Sequence, residues 1–359
     1  GFDKIISFDM GGTSTDVAHY AGELERSFET DVAGVRMRAP MMSIHTVAAG
    51  GGSLLFFDGM RYRVGPESAG ANPGPAAYRR GGALTVTDAN VMLGKLPLFP
   101  RVFGPHGDLP LDTDRVQTLF SELSQTINQA AHQQQTPEQV AEGFLKVAIE
   151  NMANAIKRIS VQKGYNVAEY TLCCYGAAGG QHACQVADRL AMQRILIHPF
   201  AGVLSAYGMG LADFRLLKTA ALEQDWNSIS EIELQQALAD LAALGRAEML
   251  AQGVALDNIC QESRLQLRYL GTDTALAIDF DDKAAMHSAF EHKYRQQFGF
   301  IYADKPLVIE SLAVEVIGTT QTLDGAVSDA QSRTSLTPVL MSQMFGDGAW
   351  HETPVYQRE

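Results

Sequence analysis

The chain has 359 residues, 46% of them hydrophobic, which is enough apolar material for two domains or one large one. Its formal net charge is −13 and no cluster of Lys and Arg occurs along it, which argues against nucleic acids and anionic membranes as partners. No apolar run approaches the length of a membrane span, no signal peptide is visible, and the four cysteines lack zinc-site spacing, so we expect a cytoplasmic protein with reduced thiols.

The first predicted element is a hairpin over residues 8–16, which holds two carboxylates, two glycines and three hydroxyls between short apolar runs. Both flanks have the composition of strands, so the pattern predicts strand, Gly-rich turn, strand. The glycines bring bare N–H groups close to a ligand, and the hydroxyls can donate to phosphate oxygens. An ionised aspartate only accepts, so beside phosphate it needs a cation or a water molecule. The composition suggests a Mg-nucleotide site; an ordinary Gly–Thr turn is the alternative.

Two better-known phosphate loops do not fit this hairpin. A P-loop needs a lysine after its second glycine and a helix immediately afterwards, and neither is found after Gly12. The dinucleotide fingerprint needs G-x-G-x-x-G at the start of a helix, and the spacing of Gly11 and Gly12 does not match it. The segment therefore predicts a phosphate site of the strand–turn–strand kind.

The middle of the chain alternates loops with regular elements. Residues 25–32 extend the strand meander, and residues 50–104 form a Gly/Pro-rich stretch whose apolar residues favour an ordered, functional loop region. Two helices follow, over about residues 112–131 and from Thr136, which can cap its helix with Gln139 as reciprocal partner. A strand at 171–175, a Gly-rich loop, a helix from about 181 to 192 and a strand at 194–198 then predict a βαβ unit.

The loop of this βαβ unit, residues 176–181, is a second candidate ligand site. Its glycines permit close approach of an adenosine, and the helix N-terminus that follows favours negative charge. The alternative is a tight strand-to-helix connection in which His182 makes a local cap.

Beyond residue 210 the pattern changes to a long amphipathic helix over 230–252, a hairpin over 264–280 and a strand over 307–317. We therefore predict three parts: an α/β nucleotide-binding domain over 1–214, a smaller α+β subdomain over 215–325, and a tail or linker towards a following domain over 326–359. The chain begins with Gly and carries apolar residues to its end, so we expect an internal part of a longer protein.

Together the two loops resemble those of the hydantoinase A/oxoprolinase family, a branch of the actin, sugar kinase and Hsp70 ATPase superfamily. Residues 49–53, 64–78, 85–90, 269–273 and 350–356 extend the resemblance. Similarity to its oxoprolinase branch is found in residues 64–78, 179–183, 269–273 and 350–356. The resemblance implies a ribonuclease H-like α/β ATPase half with a strand meander and a βαβ unit. Ala177 departs from the family, which usually has glycine there.

The resemblance implies ATP-dependent opening of the lactam 5-oxo-L-proline to L-glutamate, with ATP and Mg²⁺ as cofactors. N-methylhydantoin hydrolysis or ketone carboxylation by a sister enzyme, and a non-enzymatic nucleotide-gated protein, are the alternatives. The implied partners are a hydantoinase B-type domain or subunit and a preceding domain with the second phosphate hairpin; a homo-oligomer is left open. We expect the chain alone to bind nucleotide weakly and not to turn over 5-oxoproline.

The resemblance also assigns roles to single residues. Asp9 and Asp16 would hold Mg²⁺ through water and serve catalysis. Asp88 is a further catalytic candidate, with an Asx-turn or helix cap as its alternative. Glu67 and His45 are candidate substrate contacts, and for His45 an ordinary hydrogen-bonded histidine is the alternative. The remaining cofactor-binding candidates are Gly11, Gly12, Thr13, Ser14 and Thr15 for phosphate, and Gly176, Gly179, Gly180 and Gln181 for adenosine.

Overall fold

The computed structural model describes residues 2–27, 30–32, 35–37, 41–319 and 337–357. In these ranges the strands are β1 (Lys4–Met10), β2 (Thr15–Ala21), β3 (Arg26–Ser27), β4 (Thr30–Val32), β5 (Val35–Met37), β6 (Met41–Met42), β7 (Ile44–Val47), β8 (Ser53–Phe57), β9 (Tyr62–Ser68), β10 (Thr171–Tyr175), β11 (Arg194–Leu196), β12 (Phe214–Asp225), β13 (Ile259–Tyr269), β14 (Leu276–Asp279), β15 (Leu307–Gly318), β16 (Leu340–Gly346) and β17 (Ala349–Val355). The α-helices are α1 (Val86–Met92), α2 (Thr113–Ala131), α3 (Pro137–Ile159), α4 (Ala183–Arg189), α5 (Leu204–Leu211), α6 (Glu231–Ala251) and α7 (Lys283–Phe298). Residues 28–29 of the predicted meander lie outside the described ranges.

A mixed five-stranded sheet, in the order β11-β10-β1-β2-β7, forms the centre of the first compact unit. β1, β2 and β7 pair antiparallel as a meander, and β10 and β11 continue the sheet parallel to β1. The antiparallel meander extended by a parallel βαβ unit is the predicted α/β arrangement, and it is confirmed.

The core of this unit lies on one face of the sheet, because the strands alternate buried and half-exposed residues. Ile6, Phe8 and Met10 of β1 are buried and pack in one cluster with α3 residues such as Phe144 and Met152. Each such side chain contributes roughly 1.5–3 kcal/mol by leaving water. The opposite face of β1 is left for polar groups.

Helix α3 covers this core and begins as predicted. Pro137 occupies the first turn, Thr136 caps the helix, and Gln139 returns a hydrogen bond to the backbone N–H of Thr136. The helix ends at Ile159, and Gly164 closes the short 3₁₀ turn that follows.

The helix after the second Gly-rich loop is shorter than predicted. Residues 179–181 form a 3₁₀ turn, and α4 begins only at Ala183, because consecutive glycines oppose helix initiation. Ala191 has a left-handed backbone, φ 55°, which ends the helix before Met192. Helix α5 is absent from the sequence prediction because Gly208 and Gly210 are poor helix formers.

The second compact unit, Ser205–Val327, contains an antiparallel sheet in the order β12-β15-β13-β14 with helices α6 and α7. Ser230 and Glu233 form a capping box at the start of α6, and the helix buries Leu234, Leu238 and Met249 in the core of the unit. The unit is an α+β structure, as predicted. The division from the first unit lies after Leu204, upstream of the predicted boundary at residue 215.

The predicted tail packs as part of the first unit, which comprises Gly1–Leu204 and Ser328–Glu359. Strands β16 and β17 form an antiparallel hairpin whose Phe345 is buried in the first core. The N–H of Phe345 donates to the carbonyl of Leu93 at 2.9 Å. This burial and hydrogen bond distinguish residues 337–357 from a linker; residues 326–336 lie outside the described ranges. Among the helices of the described chain, none combines the length and apolar character that crossing a membrane requires.

Candidate functional site

The two aspartates of the predicted hairpin lie side by side on the polar face of the first sheet. Asp9 of β1 is directly opposite Asp16 of β2, and Asp16 is opposite Thr46 of β7, whose hydroxyl donates to the Asp16 carboxylate. Tyr175 of β10 lies on the other side of Asp9, so these four residues form one row across the sheet. Residues directly opposite each other in an antiparallel pair have Cβ atoms about 4.5–5.5 Å apart, and like charges in that position repel. The row is therefore suited to hold a cation.

Electrostatics at Tyr175 support this placement of both carboxylates. Burial raises the pKa of the Tyr175 phenol, and a hydrogen bond with Ser7 opposes that shift. The negative charges of Asp9 and Asp16 raise the pKa further. The Tyr175 phenol is therefore within electrostatic range of both carboxylates.

The turn between β1 and β2 presents only some of the predicted phosphate ligands. The N–H of Gly11 donates to the carbonyl of Ser14 at 3.0 Å and closes the turn. Gly12 and Thr13 are exposed at its tip. Thr15 is fully buried, and its hydroxyl donates to the carbonyl of Ala49, so this hydroxyl is directed into the protein rather than towards a phosphate.

Three glycines to which the sequence prediction gave no binding role, Gly50, Gly51 and Gly52, pack against the tip and form its glycine support. Gly51 and Gly52 donate backbone hydrogen bonds to the carbonyls of Gly11 and Gly12, at 3.1 and 2.6 Å. A Cβ atom on Gly50 would lie 2.6 Å from backbone atoms of Gly12 and Thr13. Only glycine allows the two main chains to approach this closely. The signal in the sequence was the uninterrupted Gly-Gly-Gly-Ser run, which belongs to the family-like segment 49–53.

The second Gly-rich loop lies against the strand that carries Asp9. Gly176 has φ +83°, and a Cβ there would lie 2.5 Å from both the Asp9 carboxylate and the Met10 carbonyl. The N–H of Ala178 donates to that carbonyl at 2.9 Å. A Cβ on Gly179 would lie 2.9 Å from the sulfur of Cys174, whereas Gly180 is exposed and has open space around it. The structure thus brings the two predicted loops together, with Gly176 and Gly179 packed and Gly180 facing outwards.

The structure gives Asp88 the surroundings of a structural residue. Its side chain is fully buried at the start of α1, and its carboxylate accepts hydrogen bonds from the N–H groups of Ala76 and Ala77 and from the N–H and hydroxyl of Thr85. Burial raises the pKa of Asp88, and these hydrogen bonds oppose the shift. Asp88 is at position N3 of α1 and forms a capping box with Thr85 at the N-cap position. This geometry does not support the catalytic prediction, because the donors that enclose the carboxylate separate it from any substrate.

The two candidate substrate contacts lie in different places. His45 is the neighbour of Thr46 on β7 and is paired with the buried Val17, so it lies on the core face, opposite the aspartate row. Burial and the charge of Arg158 lower the pKa of His45. Glu67 is exposed near the end of β9, two residues before Ala69, whose N–H donates to the carbonyl of Gly52. Glu67 is therefore near the glycine support of the tip, and His45 is not beside the aspartates.

A buried polar cluster lies behind the second loop. The Nδ2 group of Asn90 on α1 is 2.7 Å from Oε1 of Gln181 and 3.3 Å from Nε2 of His182. Asn90 and His182 are fully buried, and Gln181 is half-buried. Burial and the nearby positive charge of Lys95 lower the pKa of His182 to about 3. The Gln181 side chain thus accepts a hydrogen bond from Asn90, a buried residue that the sequence prediction did not single out.

These residues fit a nucleotide with magnesium. The tip offers exposed backbone and hydroxyl donors, the glycines leave room where a Cβ would clash, and two carboxylates lie side by side. Throughout the ranges that the structure describes, no group of three or more His, Cys, Asp and Glu residues could hold a metal ion. A cation here would therefore take most of its ligands from water and phosphate, which is typical of Mg²⁺.

Comparisons with known proteins identify the family of the chain. The family model described as hydantoinase/oxoprolinase matches residues 1–218. A 5-oxoprolinase of Dictyostelium discoideum is 39% identical, over 98% of this chain and 28% of its own length. A 5-oxoprolinase of Saccharomyces cerevisiae is 42% identical, over 88% of this chain and 25% of its own length. The chain therefore spans about a quarter of the length of these relatives.

Two solved structures share the fold. The ATP-dependent caprolactamase of Pseudomonas jessenii matches with a TM-score of 0.86 and 28% identity, over 99% of this chain and 53% of that chain. A nucleotide-free acetone carboxylase matches with a TM-score of 0.69 over 99% of this chain and 52% of that chain, and at 20% identity it supports the fold alone. From the matched residues, the fold and the identities, the chain belongs to the hydantoinase/oxoprolinase family.

Proposed function

We propose that this chain is the nucleotide-binding part of an ATP-dependent 5-oxoprolinase, which hydrolyses 5-oxo-L-proline to L-glutamate while ATP is cleaved to ADP and phosphate. The observation that carries the proposal is the meeting of the two Gly-rich loops at β1, where Gly176 packs on the carboxylate of Asp9. The substrate class is supported by relatives of 38–42% identity that are named 5-oxoprolinases.

The residues at the tip have separate tasks in this proposal. Asp9 and Asp16 hold water molecules on the Mg²⁺ ion of the nucleotide, and Thr46 keeps the Asp16 carboxylate in place. The exposed N–H and hydroxyl groups of Gly12 and Thr13 bind phosphate oxygens, and Gly11 and Ser14 shape the turn. When bound, ATP supplies a γ-phosphoryl group that can activate the lactam oxygen, since a lactam carbonyl is a poor electrophile towards water.

The adenosine side of the site is formed by the second loop. Gly176 and Gly179 let this loop pack on β1, while the exposed Gly180 and the half-buried Gln181 would contact the nucleoside. Glu67 is the remaining candidate for a substrate contact, because it is exposed near the glycine support of the tip.

The proposal includes parts that lie beyond this chain. The relatives are about four times as long, so we propose a preceding domain that carries the second phosphate hairpin and a hydantoinase B-type domain or subunit. We also propose a cytoplasmic location, which suits the four free cysteines. The chain alone would bind nucleotide weakly and would not turn over 5-oxoproline.

The experiment that tests the function is a measurement of ADP released by the full-length protein with each candidate substrate. We expect ADP formation to be stimulated by 5-oxo-L-proline and not by N-methylhydantoin, or by acetone with bicarbonate. Caprolactam belongs in the same panel, because the caprolactamase shares the fold over 99% of this chain. ADP formation stimulated only by another member of the panel would contradict the 5-oxoprolinase assignment. No stimulation by any member would favour a nucleotide-gated protein without lactam chemistry.

A further inference from the structure

Helix α1 connects three loops of the candidate site through three polar residues, Thr87, Asp88 and Asn90. The N–H and hydroxyl of Thr87 both donate to the carbonyl of Gly51, in the loop that supports the hairpin tip. Asp88 binds the N–H groups of Ala76 and Ala77. The third contact, from Asn90 to the adenosine loop, differs from the others because it ends on a side chain, that of Gln181.

Hydrogen-bond chemistry determines how the Asn90 amide is oriented. Burial keeps His182 neutral, so its ring has one donor and one acceptor nitrogen. Nε2 faces the NH₂ group of Asn90, which can only donate, so Nε2 accepts and the proton is on Nδ1. Among the described residues, this arrangement leaves two buried polar atoms without a partner, Nδ1 of His182 and Oδ1 of Asn90. The reversed amide would leave the two N–H donors of Asn90 unpaired in place of its single oxygen, which costs more.

The orientation of Asn90 in turn determines that of Gln181. Because Asn90 donates to Oε1 of Gln181, the carbonyl end of that amide is directed inwards and its NH₂ end is directed away from Asn90. Gln181 follows Gly180, around which there is open space, and it is half-buried. Purine ring nitrogens and ribose hydroxyls accept hydrogen bonds, so an outward NH₂ group is complementary to a nucleoside.

We propose that Asn90 is a positioning residue for the nucleoside: it holds the Gln181 side chain so that its NH₂ group donates to the bound adenosine. The proposal rests on the proposed nucleotide function. Asn90 itself does not touch the ligand, so its effect on ATP affinity passes entirely through Gln181.

A double-mutant cycle on the full-length protein tests this coupling. The dissociation constant for ATP is measured with Mg²⁺ for the wild type, Asn90→Ala, Gln181→Ala and the double variant. We expect each single substitution to weaken ATP binding by about tenfold, equivalent to about 1.4 kcal/mol. The double variant is expected to bind within about twofold of Gln181→Ala alone, since Asn90 has nothing left to position. Losses that multiply in the double variant would overturn the proposal.

Two further variants test the direction of the Gln181 amide. In Gln181→Glu, one carboxylate oxygen keeps the Asn90 hydrogen bond and the other places an acceptor where the donor was. In Asn90→Asp, the new carboxylate faces Oε1 of Gln181 and turns the amide round. Both are expected to weaken ATP binding at least as much as the alanine variants. Wild-type affinity in Gln181→Glu would overturn the donor role.

Inorganic tripolyphosphate with Mg²⁺ separates nucleoside positioning from general damage to the site. It lacks a nucleoside, so its affinity is expected to stay within about twofold of wild type in every variant. A loss of tripolyphosphate binding in Asn90→Ala would show a folding role and overturn positioning. Asn128→Ala is a matched control, because the NH₂ group of Asn128 also donates a hydrogen bond, to the carbonyl of Gln135, in another part of the unit.

The failure of this proposal can be told from failure of the proposed function. Wild-type protein that binds ATP normally, with an unchanged dissociation constant in Asn90→Ala, would overturn the positioning role alone. Wild-type protein that binds neither ATP nor tripolyphosphate would overturn the nucleotide function on which the proposal rests.

Discussion

Single residues in the first sheet are sorted by strand alternation into those that face the core and those that face the site. Asp9 and Asp16 share the polar face with Thr46, whereas Thr15 and His45 are on the core side. The composition of the hairpin predicted that the two aspartates and the tip of the turn belong to one binding site. It could not exclude the hydroxyl of Thr15, because that exclusion depends on the Ala49 carbonyl, which lies 34 residues away.

Asp88 gives a residue-level prediction about stability. In Asp88→Asn, an NH₂ group replaces one of the oxygens that accept from buried donors, so the free energy of unfolding should fall by about 2–4 kcal/mol. Urea unfolding followed by circular dichroism measures this loss. Asp112→Asn is the matched control, because Asp112 caps α2 in a half-buried position; we expect a loss below about 1 kcal/mol there. An unchanged unfolding midpoint combined with lost ADP formation would instead indicate a catalytic carboxylate.

At the scale of elements, several regular structures were predictable and the contacts between loops were not. The capping box of α3, the βαβ unit and the β13–β14 hairpin follow from local composition and periodicity. The support given by Gly50, the role of Asn90 and the packing of the C-terminal hairpin depend on segments far apart in sequence. Only the fold brings those segments together.

The glycine support of the hairpin tip gives a prediction at this scale. In Gly50→Ala, the new Cβ would meet the main chain of Gly12 and Thr13, which cannot yield without opening the turn. We expect ATP to bind at least about tenfold more weakly and the unfolding midpoint to fall. Gly202→Ala is the control, since a Cβ at Gly202 has no atom within 4 Å, and it should leave both values unchanged. Unaltered ATP affinity in Gly50→Ala would show that the tip does not bind the nucleotide.

At the scale of the whole molecule, the chain consists of two compact units, and the candidate residues belong to the first. The division after Leu204 could not be placed from the sequence, because β12 begins only at Phe214 and α5 carries no strong helix signal. The chain spans about a quarter of the length of its 5-oxoprolinase relatives. The full-length protein is therefore the proper object for every activity measurement proposed for this site.

The central claim is that Asp9 and Asp16 hold the cation of a bound Mg-nucleotide, and the Mg²⁺ dependence of ATP affinity tests it most directly. The dissociation constant for ATP is measured with Mg²⁺ and with EDTA for the full-length wild type, Asp16→Asn, and the control Asp114→Asn at an exposed position of α2. We predict that Asp16→Asn weakens binding by about tenfold or more with Mg²⁺ but leaves it equal or stronger with EDTA, because one negative charge near the phosphates is removed. Equal Mg²⁺ dependence in the wild type and in Asp16→Asn would contradict the account.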